Sequence, residues 1–128
     1  MVERVVNIEV KGIDAGQTTE LKTTGKYIKK NDSEYIEYLD DDKVKNYIKI
    51  EKDSIYLTKY TNPPTNMIFK EKQKYDFKYQ TPCGSMDMSI LTKELKVKQQ
   101  AYDYDISIKY DMTVSAEIME KELTIVVR

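Results

Sequence analysis

Apolar and polar residues alternate along most of the chain, and the clearest alternation flanks a turn at residues 81–84. Every second residue is aromatic over 75–79, and every second residue is apolar over 86–90. A period of two is typical of strands with one buried and one solvated face. Thr-Pro-Cys-Gly at 81–84 suits a type I turn in a three-residue hairpin loop, because proline fixes φ and glycine accepts a left-handed conformation. The pattern predicts a β-hairpin whose two apolar faces lie on the same side of a sheet.

Weaker versions of this alternation run through the rest of the chain. We expect strands over residues 2–11, 18–30, 34–39, 44–51, 54–60, 67–69, 75–79, 86–90, 104–112 and 123–127. The interior face of segment 34–39 stays undecided, because both of its faces carry apolar residues. Residues 93–100 fit either a strand or a helical turn, since Glu, Leu, Lys and Gln favour helices, and we prefer the strand. Gly25, in mid-strand, suggests a bend or a bulge.

Successive strands joined by short turns form a meander. A meander of about eight to ten strands usually closes into a barrel, because closure removes the unpaired edges. We therefore predict an all-β fold, a single antiparallel up-and-down β-barrel, with a two-sheet sandwich as the alternative. The length of 128 residues fits one domain spanning residues 1–128.

Composition narrows the setting of this domain. The chain has 21 basic and 22 acidic residues and a net charge of −1, which favours neither nucleic acid nor an anionic membrane. No apolar run approaches the roughly 20 residues of a membrane span, and the first residues lack the apolar segment of a secretory signal. The one cysteine, Cys83, cannot form an internal disulfide. We expect a cytoplasmic protein with no nucleic-acid or membrane partner, and the oligomeric state stays open.

The chain contains no histidine. A Ser-His-Asp triad, a Cys-His pair and an imidazole metal site therefore cannot be built. The acidic run at residues 40–42 lacks the alternating acids, central glycine and distal glutamate of a calcium loop, so we interpret it as a solvated turn. Cys83 has no adjacent base or cation to activate it as a nucleophile. The sequence predicts no catalytic residue, no metal and no cofactor, and hence a protein that is not an enzyme.

Five short segments carry a family resemblance. They are Thr23-Thr24-Gly25, Tyr35-Ile36-Glu37-Tyr38, the stretch Tyr79–Met88, Thr92 and Tyr110-Asp111-Met112. In this order, over nearly the whole chain, they resemble the YwiB-like family of small bacterial proteins. The resemblance implies a calycin, or lipocalin-like, antiparallel β-barrel of unknown biochemical function. The chain departs from the family at Lys59 and Thr61, where members often carry Arg and Gly, and at Cys83, where they carry an aromatic residue.

Lys59 is the main candidate for a ligand contact. The period of two places its ammonium group on the apolar face of strand 54–60. A lysine inside a barrel needs a partner, which is water at the mouth, an acidic or tyrosyl side chain, or the anionic head of a bound molecule. In the last case the apolar body of the ligand lies among Tyr79, Met86 and Met88. The functional hypothesis is capture of a small, partly apolar or acidic ligand by these four residues, and the alternative is a protein-interaction or scaffold module whose barrel is filled with side chains.

Overall fold

The computed structural model describes all residues, 1–128, as ten β-strands without a helix. The strands are β1 (Val2–Asp14), β2 (Gln17–Lys30), β3 (Ser33–Leu39), β4 (Lys45–Ile50), β5 (Ser54–Lys59), β6 (Thr65–Lys70), β7 (Lys74–Thr81), β8 (Gly84–Gln100), β9 (Asp103–Val114) and β10 (Glu117–Val127). The all-β prediction is confirmed. Residues 93–100 extend β8, so the preference for a strand in that segment is also confirmed. No helix with the length and apolarity to cross a membrane is present.

The ten strands form one antiparallel sheet that curls into a nearly closed barrel. Each strand pairs with its neighbours in sequence from β1 to β6 and from β7 to β10, and β1 pairs with β10. The edge strands β6 and β7 lie side by side without pairing, and the turn between them is attached to β8. The backbone N–H of Lys72 donates to the carbonyl oxygen of Thr92 (2.7 Å), and the N–H of Thr92 donates to that of Gln73 (3.3 Å). The predicted up-and-down barrel is confirmed, and the sandwich alternative is wrong.

The apolar positions of the alternating pattern become the barrel core. Seventeen buried residues form one continuous cluster. Its deepest members, each at most 1% exposed, include Ile36, Ile48, Phe69, Ile90 and Ile108. At about 25 cal/mol per Å² of apolar area removed from water, this burial is the main favourable term in folding. None of these five side chains lines a main cavity of the molecule, so the middle of the barrel is filled with protein.

β3 has a defined inner face, which the sequence left undecided. Ile36 and Tyr38 are buried inside the barrel. Tyr35 points the other way and stacks on Tyr47 of the next strand, with ring centroids 5.0 Å apart. The second apolar face of β3 is therefore an aromatic pair on the outer surface, which contributes roughly 0.5–1 kcal/mol as a cross-strand contact.

Gly25 serves a different purpose from the expected bulge. The register of β2 with β1 runs through Gly25 without interruption, so no bulge lies there. A Cβ atom at this position would overlap the carbonyl oxygen of Glu37, and close approach of two backbones is what requires glycine. The irregularity of the barrel lies instead in β8, between Thr92 and Glu94. The register shift therefore lies beside residues that give no signal of it in the sequence.

The hairpin of β7 and β8 matches the predicted pairing. Tyr79 lies opposite Met86, and Phe77 lies opposite Met88, so the two apolar faces share one side as expected. The loop is shorter than predicted, because Thr81 pairs with Gly84 and only two residues connect the strands. The hydroxyl group of Thr81 donates to the carbonyl oxygen of Gly84 (2.7 Å). This side-chain hydrogen bond closes the turn, and the three-residue loop is corrected to a two-residue loop.

Candidate functional site

The barrel has two mouths, and each gathers the turns at one end of the strands. Because successive strands run in opposite directions, one end collects the turns at residues 15–16, 40–44, 60–64, 82–83 and 115–116. We name this end the Asp40 mouth. The other end collects the turns at residues 31–32, 51–53, 71–73 and 101–102. We name it the Glu34 mouth, after the acid at the start of β3.

At the Asp40 mouth one carboxylate binds most of the polar groups around it. Oδ1 of Asp40 accepts hydrogen bonds from the backbone N–H groups of Asp42 (2.9 Å) and Val44 (3.1 Å). Oδ2 accepts a hydrogen bond from Nδ2 of the buried Asn46 (3.1 Å). The ammonium group of Lys59 lies 3.4 Å from the same oxygen, and its side chain is 42% exposed. Lys59 therefore has an acidic partner from the protein and also reaches water.

These contacts set the ionisation of the Asp40 mouth. Burial alone would raise the pKa of Asp40, but hydrogen bonds from Val44, Asn46 and Asp42, with the charge of Lys59, outweigh it and lower the pKa below the ordinary value. A carboxylate with a lowered pKa stays charged at neutral pH, so it holds the 40–44 loop closed and is a poor proton donor or acceptor.

The three predicted ligand residues of the hairpin lie apart from Lys59. Tyr79 is 40% exposed, while Met86 and Met88 are partly buried. A cavity of about 530 Å³ beside the hairpin has Phe77 and Met88 in its wall but contains none of the other three predicted residues. The structure thus brings Tyr79, Met86 and Met88 together on one hairpin, and β6 separates them from Lys59. Ligand binding by these four residues stays a prediction.

The Glu34 mouth contains a smaller cavity of about 330 Å³. Its wall is built by the start of β3, the end of β4 with its turn, the end of β8 and the start of β9. The lining residues are Glu34, Ile50, Glu51, Lys52, Val97, Gln99 and Tyr104. Since Glu34, Ile50 and Tyr104 occupy inward positions of their strands, this cavity is the open end of the barrel interior.

Two polar groups of this cavity lack the partners that their chemistry calls for. Each carboxylate oxygen of Glu34 lies 3.2 Å from Nε2 of Gln99, but no basic group lies within 4.0 Å of it. Tyr104 is only 1% exposed, and its hydroxyl group has no hydrogen-bond partner. Buried polar atoms are nearly always hydrogen-bonded, so an isolated hydroxyl group at a cavity is a signal for a missing partner.

An aromatic group covers one side of the Glu34 mouth. The Tyr27 ring lies 6.3 Å from Tyr104 and meets the edge of Tyr102 at 5.5 Å. The guanidinium group of Arg4 sits 4.0 Å above the Tyr102 ring, a favourable cation–π distance. Burial, followed by the negative charge of Glu34 and a side-chain hydrogen bond to it, raises the pKa of Tyr27 to about 12. Tyr27 therefore remains a protonated phenol at physiological pH.

Sequence reasoning missed the Glu34 mouth. Tyr104 opens the alternating segment 104–112, and that pattern gives no information about the partner of its hydroxyl group. Glu34 began a strand whose inner face was undecided. The sequence did contain one signal: Glu34 lies two residues before Ile36, so the period of two places this acid on the same face of the strand as a buried residue.

The structure also bears on metal binding and on the cysteine. No group of three or more Asp, Glu, His or Cys side chains lies close enough together to hold a metal ion. Cys83 is exposed at the tip of the β7–β8 hairpin.

The fold defines the class: a small, ten-stranded, nearly closed antiparallel β-barrel. The family described as a domain of unknown function, DUF1934, matches residues 4–125. The chain belongs to this family. A solved structure, the crystal structure of the ywiB protein from Bacillus subtilis, is similar with a TM-score of 0.84 and 25% sequence identity, covering 98% of this chain and 92% of that chain. Comparison with curated proteins gives no match.

These comparisons confirm the YwiB-like resemblance and the unknown function of the family. They match nearly the full length of the chain, which agrees with the extent of the resemblance in the sequence. The finer assignment to calycin or lipocalin-like barrels stays a prediction.

Proposed function

We propose that this protein is a cytoplasmic, non-enzymatic binding protein that holds a small, partly apolar molecule at the Glu34 mouth. The observation that carries the proposal is the buried hydroxyl group of Tyr104, which has no partner and belongs to a residue in the cavity wall. Leaving a buried hydroxyl group unsatisfied costs roughly 1–3 kcal/mol, and a polar atom of a bound molecule would offset that cost.

The size and lining of the cavity support this proposal. Its volume of about 330 Å³ falls at the lower end of the range for small-molecule sites, roughly 300–1,000 Å³. Ile50 and Val97 supply apolar surface, while Glu34 and Gln99 supply polar atoms at the rim. A few polar groups on an apolar wall is the usual composition of a ligand site.

The non-enzymatic and cytoplasmic parts of the proposal rest on the sequence. The chain has no histidine, and Asp40 is held as a charged loop residue, so neither supplies a general acid or base near neutral pH. The exposed thiol group of Cys83, without a second cysteine, fits a reducing compartment.

Native mass spectrometry of the protein purified from its own cells tests the proposal. We expect a small-molecule adduct that disappears on denaturation and is weakened in Tyr104→Phe. Tyr102→Phe is the matched control, because it removes a hydroxyl group from an exposed ring. A preparation without any adduct would contradict the proposal.

A second candidate is a protein-interaction or scaffold module, favoured by the filled interior of the barrel. Side chains such as Ile36, Ile48 and Phe69 fill the middle of the barrel, as the alternative hypothesis requires. Such a module predicts a complex well above 15.1 kDa in freshly lysed cells and no small-molecule adduct. Size-exclusion chromatography with native mass spectrometry separates the two candidates.

A further inference from the structure

We propose that the Glu34 mouth selects a small primary ammonium compound with a short apolar chain. This inference rests on the proposed function and names the ligand class of the same site. Its basis is a carboxylate without a cation, set beside apolar surface and a buried hydroxyl group without a partner.

The carboxylate of Glu34 stands out because neighbouring acids have basic partners. Glu51, in the same cavity wall, lies 3.4 Å from the ammonium group of Lys49. Glu37, on the outer face of β3, lies 3.7 Å from Lys45. The side-chain groups beside Glu34 are neutral: the amide of Gln99 and the phenol of Tyr27. The charge of Glu34 is thus open to a cation from outside.

The hydrogen bonds of Gln99 determine whether a ligand at the rim must donate or accept hydrogen bonds. Nε2 of Gln99 donates to Glu34 and also to the carbonyl oxygen of Ala101 (3.2 Å), so the amide N–H groups are in use. The groups left at the rim are acceptors: the carboxylate of Glu34 and the amide oxygen of Gln99. An ammonium group has three donors and no acceptor, so it matches both. An acidic head group would meet repulsion from Glu34 instead.

The inner part of the cavity indicates which groups the ligand carries besides its ammonium group. Ile50 and Val97 provide apolar contacts for a short alkyl chain, and the ring of Tyr104 adds to them. The hydroxyl group of Tyr104 is shielded from solvent, so the ring must shift for it to bond a second polar atom of the ligand. Lys52 is the one basic residue in the wall, and its ammonium group forms no ion pair with Glu34.

Other buried polar atoms without hydrogen bonds do not mark a comparable site. Oδ1 of Asp111 lacks a hydrogen bond but lies 3.0 Å from the ammonium group of Lys93, which neutralises it. The hydroxyl group of Thr92 is buried in the barrel wall away from the main cavities. Tyr104 alone combines an isolated polar atom with a cavity.

The test uses three probes of equal chain length: n-hexylamine, 1-hexanol and hexanoate. Each is titrated into uniformly ¹⁵N-labelled protein, and the amide chemical shifts are followed by NMR. We expect n-hexylamine to bind about tenfold more tightly than the other two, since a charge-assisted hydrogen bond is lost in each. The shifts should cluster at residues 33–35, 50–52, 97–99 and 103–105.

Variants identify the group that selects the cation. Glu34→Gln should weaken n-hexylamine binding by about tenfold. Glu37→Gln is the matched control, because it lies on the same strand but faces outward, and it should leave binding unchanged. Lys52→Met removes a competing cation and should bind at least as tightly as the wild type.

The outcomes separate this inference from the proposed function. If 1-hexanol binds as tightly as n-hexylamine, the proposal of an ammonium ligand is wrong, but small-ligand binding survives. The same holds if Glu34→Gln binds n-hexylamine as tightly as the wild type does. Preference for hexanoate overturns it too and favours the Lys59 hypothesis. If no probe binds although the purified protein carries an adduct, only the ligand class fails. If no probe binds and no adduct is present, both the inference and the proposed function fail.

Discussion

The carboxylates at the two mouths of the barrel have opposite kinds of surroundings. At the Asp40 mouth the carboxylate of Asp40 accepts three hydrogen bonds and lies beside Lys59, so every oxygen has a partner from the chain. At the Glu34 mouth the carboxylate of Glu34 has no cation, and the hydroxyl group of Tyr104 has no partner at all. The two ends therefore differ in their polar groups: Asp40 is held by partners from the chain, whereas Glu34 lacks a cation and the hydroxyl group of Tyr104 lacks a hydrogen-bond partner.

The difference shows how to separate structural polar groups from binding groups in a barrel without catalytic motifs. A satisfied network stabilises the fold, and its removal is costly. An unsatisfied buried group costs stability in the free protein, and such groups cluster where a partner is expected. The following predictions test this contrast.

The largest effect is expected from Asp40→Ala. The substitution leaves two backbone N–H groups without an acceptor and removes one of the two acceptors of the Asn46 amide, the other being the carbonyl oxygen of Val44. We therefore expect a loss of about 3 kcal/mol in the free energy of unfolding. Urea titration measures it. Asp41→Ala, one residue along the same loop, is the control and should stay within about 0.5 kcal/mol. Equal effects of the two substitutions would show that the network does not stabilise the loop.

The stabilisation by Asp40 should depend on pH. Its pKa is lowered in the folded protein from an ordinary value of 3.8, so the folded state favours the charged form. The stabilisation is then fully present above pH 3.8 and is lost as the pH falls through the lower, folded-state pKa. Urea titrations of wild type and Asp40→Asn should differ most near neutral pH and converge in acid. A difference in the free energy of unfolding that grows as the pH falls would contradict a lowered pKa of Asp40 in the folded protein.

A smaller effect of opposite sign is expected from Tyr104→Phe. Removing a buried hydroxyl group that has no partner should leave the ligand-free protein equally stable or raise its free energy of unfolding by up to about 1 kcal/mol. Thermal unfolding of extensively dialysed protein is the measurement, with Tyr102→Phe as control. A loss of more than about 1 kcal/mol would reveal a partner for the hydroxyl group and end the contrast between the mouths.

The smallest effect on stability is expected from Lys59→Met. Its ion pair with Asp40 is partly exposed, and such pairs contribute about 0–1 kcal/mol. The same variant tests ligand binding at Lys59, Tyr79, Met86 and Met88, through a thermal-shift screen of fatty acids and acidic metabolites. Because the ammonium group of Lys59 already forms an ion pair with Asp40, we expect no added acid to stabilise the wild type. A shift that Lys59→Met abolishes would move the ligand site to the Asp40 mouth.

Much of the fold follows from the period of two in the sequence. The pairing of Tyr79 with Met86 and of Phe77 with Met88 was predictable because both strands alternate up to a marked turn. The loop length was not, since the hydrogen bond from Thr81 to Gly84 depends on a rotamer that the sequence does not specify.

The two mouths were beyond sequence reasoning for a physical reason. Alternation assigns a side chain to the inside of a barrel but does not give its depth, its partner or the end that it faces. Glu34 and Gln99 meet across 65 residues of chain, and Lys59 meets Asp40 only after the 40–44 loop folds back. Of the three partners predicted for Lys59, the folded chain provides an acidic side chain and access to water, and the anionic head of a ligand stays a prediction.

A crystal structure of the protein purified from its own cells, without added ligand, tests the central claim most directly. We predict electron density for a bound molecule in the Glu34 mouth, with a polar atom about 2.6–3.2 Å from the hydroxyl oxygen of Tyr104, and none beside Lys59 at the Asp40 mouth. Density beside Lys59, or a Tyr104 hydroxyl group hydrogen-bonded only to water, would contradict it.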